Sequence, residues 1–382
     1  MRRPVVLAAG GTGGHMFPAE ALGAELTARG RKIVLVTDKR GVAFGAAHAA
    51  FWQGVETYAV RSATPAGRGV RGFVRAAFET ALGAAEASRL LRRLEPAAVV
   101  GFGGYPSLPT MLAAVRRRLP SAIHEQNAVL GRVNRVLARW VSAVALAQPE
   151  TRGVPRYAAQ KATQTGNPVR AAVKQLRGAP YPHLDAHVPF RLLVIGGSQG
   201  ARVFSLVVPA ALAALPVAAR RRLTVTQQCR PEDVAAVGAQ YREAGVAADL
   251  ATFFTDLPRR LGEAHLVVAR AGASSVSELA CAGRPALLVP LPHAADDHQT
   301  ANAHGLVRAG GAIAMTQATF TPAALTATLA DLLTDPARLV TMAERARNAA
   351  IVDAETRLAD LVERLAPPAA ADARCCGVEQ TA

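Results

Sequence analysis

Twice in this chain a short apolar run breaks off into glycines and then into a helix-forming stretch. Val5-Val6-Leu7 reads as a buried strand, runs into Gly10-Gly11-Thr12-Gly13-Gly14, and precedes a helix expected over Ala19–Arg29 with Pro18 near its first turn. Arg191–Ile195 leads in the same way into Gly196-Gly197-Ser198-Gln199-Gly200-Ala201. Glycine tolerates positive φ and has no Cβ, so such a loop can present a row of backbone N–H groups. The helix that follows adds its dipole, and together they favour an anion such as phosphate. Neither loop spells G-x-G-x-x-G with an acid about 20 residues on, which counts against an NAD-dependent oxidoreductase. His15 sits at the lip of the first loop. It reads either as a turn histidine or, beside an anion site, as a general base titrating near neutrality.

Further strands, Arg31–Thr37, Ala97–Phe102, Ala122–His124 and Val144–Ala147, alternate with helical segments such as Phe73–Leu94. Leu223–Thr226, Leu266–Ala269 and Ala286–Val289 continue the pattern after the second glycine loop. The fold class is therefore α/β, with doubly wound parallel sheets in two similar domains in series. A length of 382 residues suits two domains. Gly166-Asn167-Pro168-Val169-Arg170 punctuates the chain, so the domains are expected over 1–166 and 167–349. A helix near 350–366 is expected to pack back on the first, and 367–382 to be a disordered tail. Helices are expected over Thr321–Leu333 and Asp335–Leu365, and Gly67–Gly72 is expected to be mobile.

The formal net charge of +16 implies an anionic partner. Nucleic acid is the weaker choice, because the Arg residues are scattered, aromatics are only 5%, and there is no Lys/Arg tract. Phosphorylated substrates or acidic lipid headgroups fit better. The Arg-flanked apolar positions Phe73, Val74, Phe78, Leu82, Leu90 and Leu91 read first as the core face of a helix and second as a membrane-touching face. The first apolar run is too short for a signal peptide, and no run approaches the ~18–20 apolar residues of a membrane span. Cys229, Cys281, Cys375 and Cys376 show no metal spacing, which fits a reduced, cytosolic chain.

Three polar clusters follow apolar strands. Gly103-Gly104-Tyr105-Pro106 is another glycine loop at a strand's C-terminal end, where open α/β sheets bind ligands. His124-Glu125-Gln126-Asn127 is either a surface turn or a cleft lining. Arg270–Glu278 carries a Gly and three Ser ahead of a helix expected over Val276–Ala282. Ser274 or Ser275 can cap that helix, its N–H groups can hold a diphosphate, and Glu278 can accept two ribose hydroxyls. Asp296-Asp297-His298-Gln299 reads as a loop with a solvated charge pair rather than a metal site.

GGTGGHMFPA (10–19), GFGGYPS (101–107), HEQN (124–127), GNPVR (166–170), GGSQGAR (196–202), RAGASSVSELACAGRPALLVPLP (270–292) and DDHQTANA (296–303) occur in this order. Together they closely resemble the MurG family of bacterial N-acetylglucosaminyltransferases, over roughly residues 4 to 360. The resemblance implies the GT-B architecture, two Rossmann-like domains facing a cleft. It implies transfer of N-acetylglucosamine from UDP-GlcNAc, with inversion and without metal or cofactor, to the 4-hydroxyl of the muramyl sugar of lipid I. The product is lipid II for peptidoglycan. Ser198, Thr255, Ala273, Ser274, Ser275, Val276, Ser277 and Glu278 would surround UDP, with Glu278 on the ribose and Arg170 a further donor contact. Asn127 and Gln299 would meet the donor sugar, Thr12, Gly13 and Gly14 face the same cleft, and His15 maps to the proposed base. Gly103, Gly104 and Tyr105 are assigned to the acceptor diphosphate. The implied location is peripheral, on the cytoplasmic face of the inner membrane, with an anionic membrane surface and cell-wall synthesis proteins as further partners. A nucleotide-sugar epimerase, or another UDP-sugar-binding protein of the same GT-B architecture, is the alternative.

Overall fold

The structure, a computed structural model, describes residues 3–11, 13–48, 50–64, 69–185, 188–197 and 200–366. Thr12, Ser198, the first part of the Gly67–Gly72 stretch and the tail from 367 lie outside them.

Among the described residues, two parallel sheets organise the chain. The first contains β1 (Val5–Ala8), β2 (Ile33–Thr37), β3 (Glu56–Ala59), β4 (Ala98–Gly101), β5 (Ser121–Glu125), β6 (Ala143–Leu146) and β7 (Ala162–Gln164), in the order β3-β2-β1-β4-β5-β6-β7. The second contains β8 (Phe190–Ile195), β9 (Leu223–Gln228), β10 (Ala247–Ala251), β11 (Leu266–Ala269), β12 (Ala286–Leu288) and β13 (Ala312–Ala314), in the order β10-β9-β8-β11-β12-β13. In both, the direction of winding reverses beside the first strand, between β1 and β4 and between β8 and β11. The crevice outside the strand ends at such a reversal is where α/β sheets take ligands.

Side chains leave a strand alternately on opposite faces, so a sheet covered on both faces needs two cores. Val5 and Leu7 pack with Met16, Leu22 and Leu26 on one face, while Val6 and Ala8 pack with Val34, Leu91 and Met111 on the other. Each fully buried side chain of this size contributes roughly 1.5–3 kcal/mol. The first of these cores is completed from far along the chain: Leu358, Ala359, Leu361 and Val362 of the helix Ala354–Leu365 pack into it. Arg29 holds the same helix through Asp360 at 2.6 Å and Glu363 at 2.9 Å.

Several local expectations change. The first helix begins at Gly13 and runs to Ala28, so Gly13, Gly14 and His15 form its first turn rather than a loop before it. The long helix begins at Gly69, which places Gly69–Gly72 in regular structure. Its apolar stripe divides: Ala87 and Leu91 are core, whereas Phe73, Val74 and Phe78 are exposed. The stretch expected as one helix over Asp335–Leu365 is two, Pro336–Asn348 and Ala354–Leu365. Among the described residues no helix is long and apolar enough to cross a membrane.

Candidate active site

The two reversal points face each other across a cavity of about 400 Å³. From the first sheet's side it is lined by Gly13, Gly14, His15, Phe17, Gln126 and Asn127. From the second come Gly197, Gln228, Gly272–Ser275, Glu278, His298 and Gln299, with Phe253, Phe254 and Leu257 as an apolar wall and Arg170 between. A larger cavity, about 690 Å³, is built from Arg89, Arg92, Arg116, Arg117 and Trp140 around the helices Gly69–Leu94 and Gly104–Arg116, away from the reversal loops.

Two helix N-termini meet at the smaller cavity. The helix Ala273–Ala282 starts from Gly272 with no side-chain cap, so Ser274 and Ser275 stand inside its first turn instead of capping it. Ser274 Oγ donates to the Gly14 carbonyl at 3.3 Å, joining it to the first turn of Gly13–Ala28. Uncapped N–H groups with the positive end of the dipole suit a diphosphate. In the second sheet's loop only glycine fits at 196: a Cβ there would come within 2.2 Å of the Ala201 nitrogen.

Arg170 and Glu278, 108 positions apart, form a forked pair, Nε to Oε1 at 2.7 Å and Nη2 to Oε2 at 2.8 Å. The guanidinium also lies over the Phe17 ring, 4.4 Å from its centre. The fork takes two of a carboxylate's roughly four acceptor positions, which leaves Glu278 able to accept from hydroxyls. Glu20, on the first helix, feels this pair. Burial pushes its carboxyl up to about 7, with Arg170 opposing and Glu278 adding to the rise.

On the other side, His15 Nδ1 lies 3.2 Å from Gln126 Oε1. Burial lowers its basicity most; Glu125, Gln126 and the Phe102 carbonyl oppose this, His298 reinforces it, and the net direction is down. Buried His124 is pushed down to about 4, chiefly by burial. Glu125 is a buried carboxylate that accepts from Asn127 N, Asn127 Nδ2, Gly131 N and Asn134 Nδ2 within 3.1 Å. It fixes the loop after β5. Asn127 in turn accepts from Asn302 Nδ2 at 3.1 Å, and Asn302 Oδ1 accepts from Ala128 N at 2.7 Å, tying the two halves together.

Of the residues singled out from sequence, Gly13, Gly14, His15, Asn127, Arg170, Ala273, Ser274, Ser275, Glu278 and Gln299 converge on the cavity. Gln299 is oriented by its Oε1, which accepts from Leu291 N at 2.9 Å. Val276 is a core residue, and Ser277 accepts from Asn167 Nδ2 at 3.2 Å. Thr255 is exposed; its neighbours Phe253, Phe254 and Leu257 line the wall instead. Gly103 and Gly104, at φ 78° and 70°, turn the chain beside His15. Asp296 faces Arg132 and Arg135 at 3.7 and 3.8 Å, a charge contact rather than a ligand set. Sequence reading missed the pairing of Arg170 with Glu278 and the part played by Gln126 and Asn302, although the quoted motifs contained all four.

Two facing doubly wound sheets with a cavity between their reversal points are the GT-B class of sugar-nucleotide enzymes. Residues 5–146 match the glycosyltransferase family 28 N-terminal domain and residues 191–365 its C-terminal domain. A Rhodospirillum rubrum protein named UDP-N-acetylglucosamine–N-acetylmuramyl-(pentapeptide) pyrophosphoryl-undecaprenol N-acetylglucosamine transferase is 55% identical over 95% of this chain and 92% of its own. One of the same name from Rhodospirillum centenum is 53% identical over 94% and 93%. The crystal structure of Acinetobacter baumannii MurG superposes with a TM-score of 0.74 at 32% identity, over 95% of this chain and 99% of its own. The chain belongs to the MurG family of glycosyltransferase family 28.

Proposed function

We propose that the chain transfers N-acetylglucosamine from UDP-GlcNAc to the 4-hydroxyl of the muramyl sugar of lipid I, with inversion, giving lipid II for peptidoglycan and so serving cell-wall biogenesis, shape and division. The observation that carries this is family membership at 55% identity through both halves. The cavity between two helix N-termini suits the donor's diphosphate. In this reading residues 1–166, with the 350–366 helix, form the acceptor unit and 167–349 the donor unit.

The acceptor oxygen attacks the anomeric carbon as His15 takes its proton. The new C–O bond forms while the bond from that carbon to the diphosphate oxygen breaks, and the electron pair leaves with UDP. Backbone N–H groups of Gly272–Ser275 and the helix dipole stabilise the departing charge. Glu278 receives the ribose hydroxyls, with Arg170 holding its carboxylate in place. Asn127 and Gln299 orient the sugar, and Gly103, Gly104 and Tyr105 approach the acceptor diphosphate. Thr12 and Ser198 are assigned to the donor from motif alone.

Incubation with radiolabelled UDP-GlcNAc and a lipid I analogue tests this: label in a lipid disaccharide supports it. Label found only in an isomerised UDP-sugar favours an epimerase, the reading that the family match disfavours.

The enzyme works as a peripheral protein on the cytoplasmic face of the inner membrane, where it meets cell-wall synthesis proteins. Exposed Phe73, Val74 and Phe78, on the helix that also contributes Arg89 and Arg92 to the Arg-lined cavity, support the membrane contact. Binding to anionic vesicles is expected to fall as salt shortens the screening length from ~10 Å towards ~3 Å. Equal flotation with neutral and anionic vesicles would refute the electrostatic part.

A further inference from the structure

The hydrogen bonds behind His15 run in one direction, and two backbone carbonyls determine which. Gln126 is buried with its amide between two imidazoles. One end lies 3.0 Å from His124 Nδ1 and 3.0 Å from the His124 carbonyl oxygen. A carbonyl oxygen only accepts, so this end is the NH2 group. Oε1 therefore faces His15 Nδ1, at 3.2 Å, and that nitrogen must carry the ring proton to bond there. At the far end, His124 Nε2 lies 3.0 Å from the Gly166 carbonyl. It too must donate, which leaves His124 Nδ1 free to accept from Gln126. The two carbonyls thus demand the same direction independently. His15 Nε2 is left as the bare nitrogen, packed so closely on the turn at Gly104 that a Cβ there would approach it to 3.0 Å.

We propose that Gln126 and His124 are positioning residues that hold His15 in the tautomer whose Nε2 accepts the proton of the attacking hydroxyl. This rests on the reading of His15 as the base. No proton travels down the chain: Nε2 gains the acceptor's proton, and the resulting imidazolium keeps Nδ1–H on Gln126 Oε1. The groups facing the ring are the Glu125 carboxylate, the His124 and His298 imidazoles and the Phe102 carbonyl. That carbonyl already acts on the ring as a hydrogen-bond acceptor, which makes it the rival to Gln126 for a ring proton. His124, pushed down to about 4, stays neutral at working pH, so the direction persists through it.

Selective ¹⁵N-histidine labelling tests this, using long-range ¹⁵N–¹H correlations assigned with His15→Gln and His124→Phe. The wild-type protein is expected to show His15 protonated at Nδ1 and His124 at Nε2. Gln126→Met, similar in shape without donor or acceptor, should mix the His15 tautomers and lower kcat by about 10–100-fold, the scale of lost orienting bonds at ligating histidines. Its KM for UDP-GlcNAc should stay near wild type. His124→Phe should lose less, because the residue's own backbone carbonyl still orients the amide. His15 protonated at Nε2 in the wild-type protein would overturn the proposal, whether or not the variants fold. So would wild-type kcat in a folded Gln126→Met protein. Wild-type turnover in His15→Gln would instead remove the base reading itself, and the proposal's catalytic half with it, whatever tautomer the spectra report.

Discussion

The two reversal points are the same construction filled in opposite ways. Each has a parallel strand, a glycine turn and a helix N-terminus aimed at one cavity. Around the first, burial keeps two imidazoles neutral and the Gln126 amide holds them in line. Around the second, an arginine and a glutamate are locked in a charged fork. A neutral ring with an open nitrogen can receive a proton. A fixed charge pair with spare acceptor positions can receive hydroxyls, but gains nothing from moving a proton. The shared backbone suits an anion on both sides, and under the proposed function the side chains divide the labour into chemistry and recognition.

The strongest way to break this division is His15→Ala. Its kcat should fall by ~10²–10⁴ while UDP affinity and melting temperature hold, and the acidic limb of the pH–rate profile should vanish. A folded variant within a few-fold of wild-type turnover would put the chemistry elsewhere. Glu278→Ala should do the reverse, weakening UDP binding by ~1.5–3 kcal/mol in calorimetry. It also leaves Arg170 without its partner, so the melting temperature should drop with it. Unchanged UDP affinity would remove Glu278 from the donor site.

The smallest effect falls between the two sides, at Glu20. Its folded pKa of about 7 stands above the usual carboxylate value. The folded state therefore holds its proton longer than the unfolded chain does, and this contribution to stability is present below pH ~4.5 and lost as pH rises through about 7. Glu20→Gln should flatten that decline by about 1–2 kcal/mol, allowing for the group's partial exposure. Parallel stability–pH curves for variant and wild type would refute it.

The centres of the sheets were legible in the sequence and their rims were not. Strands such as β1, β4 and β11 are buried on both faces, so they read as unbroken apolar runs closed by glycine. The sequence reading missed β3, β7, β10 and β13, and all four lie at sheet edges. Glu56-Thr57-Tyr58-Ala59 and Ala247-Ala248-Asp249-Leu250-Ala251 carry the polar, partly exposed pattern of a strand with one open side. They are strands because β2 and β9 offer free ladder positions, not because of their own preference. The site divides likewise. Glycine loops announce a phosphate cradle locally, whereas a fork between positions 170 and 278, or an amide reaching from 126 to 15, exists only once the sheets have brought them together. The sequence puts His15 at the lip of a glycine loop, ahead of the helix; in the structure Gly13 and Gly14 belong to that helix's first turn.

The helix Ala354–Leu365 has a consequence for how the molecule is made. Synthesis proceeds from the first residue, yet one face of the first sheet stays only partly covered until this helix leaves the ribosome. All of β8 to β13 must be translated in between, which at ~5–20 residues per second takes on the order of ten seconds or more. For that interval Leu7, Met16 and Leu22 lack their last neighbours. The first half of the chain is thus the last to finish folding, and the second sheet can form while the first is still waiting.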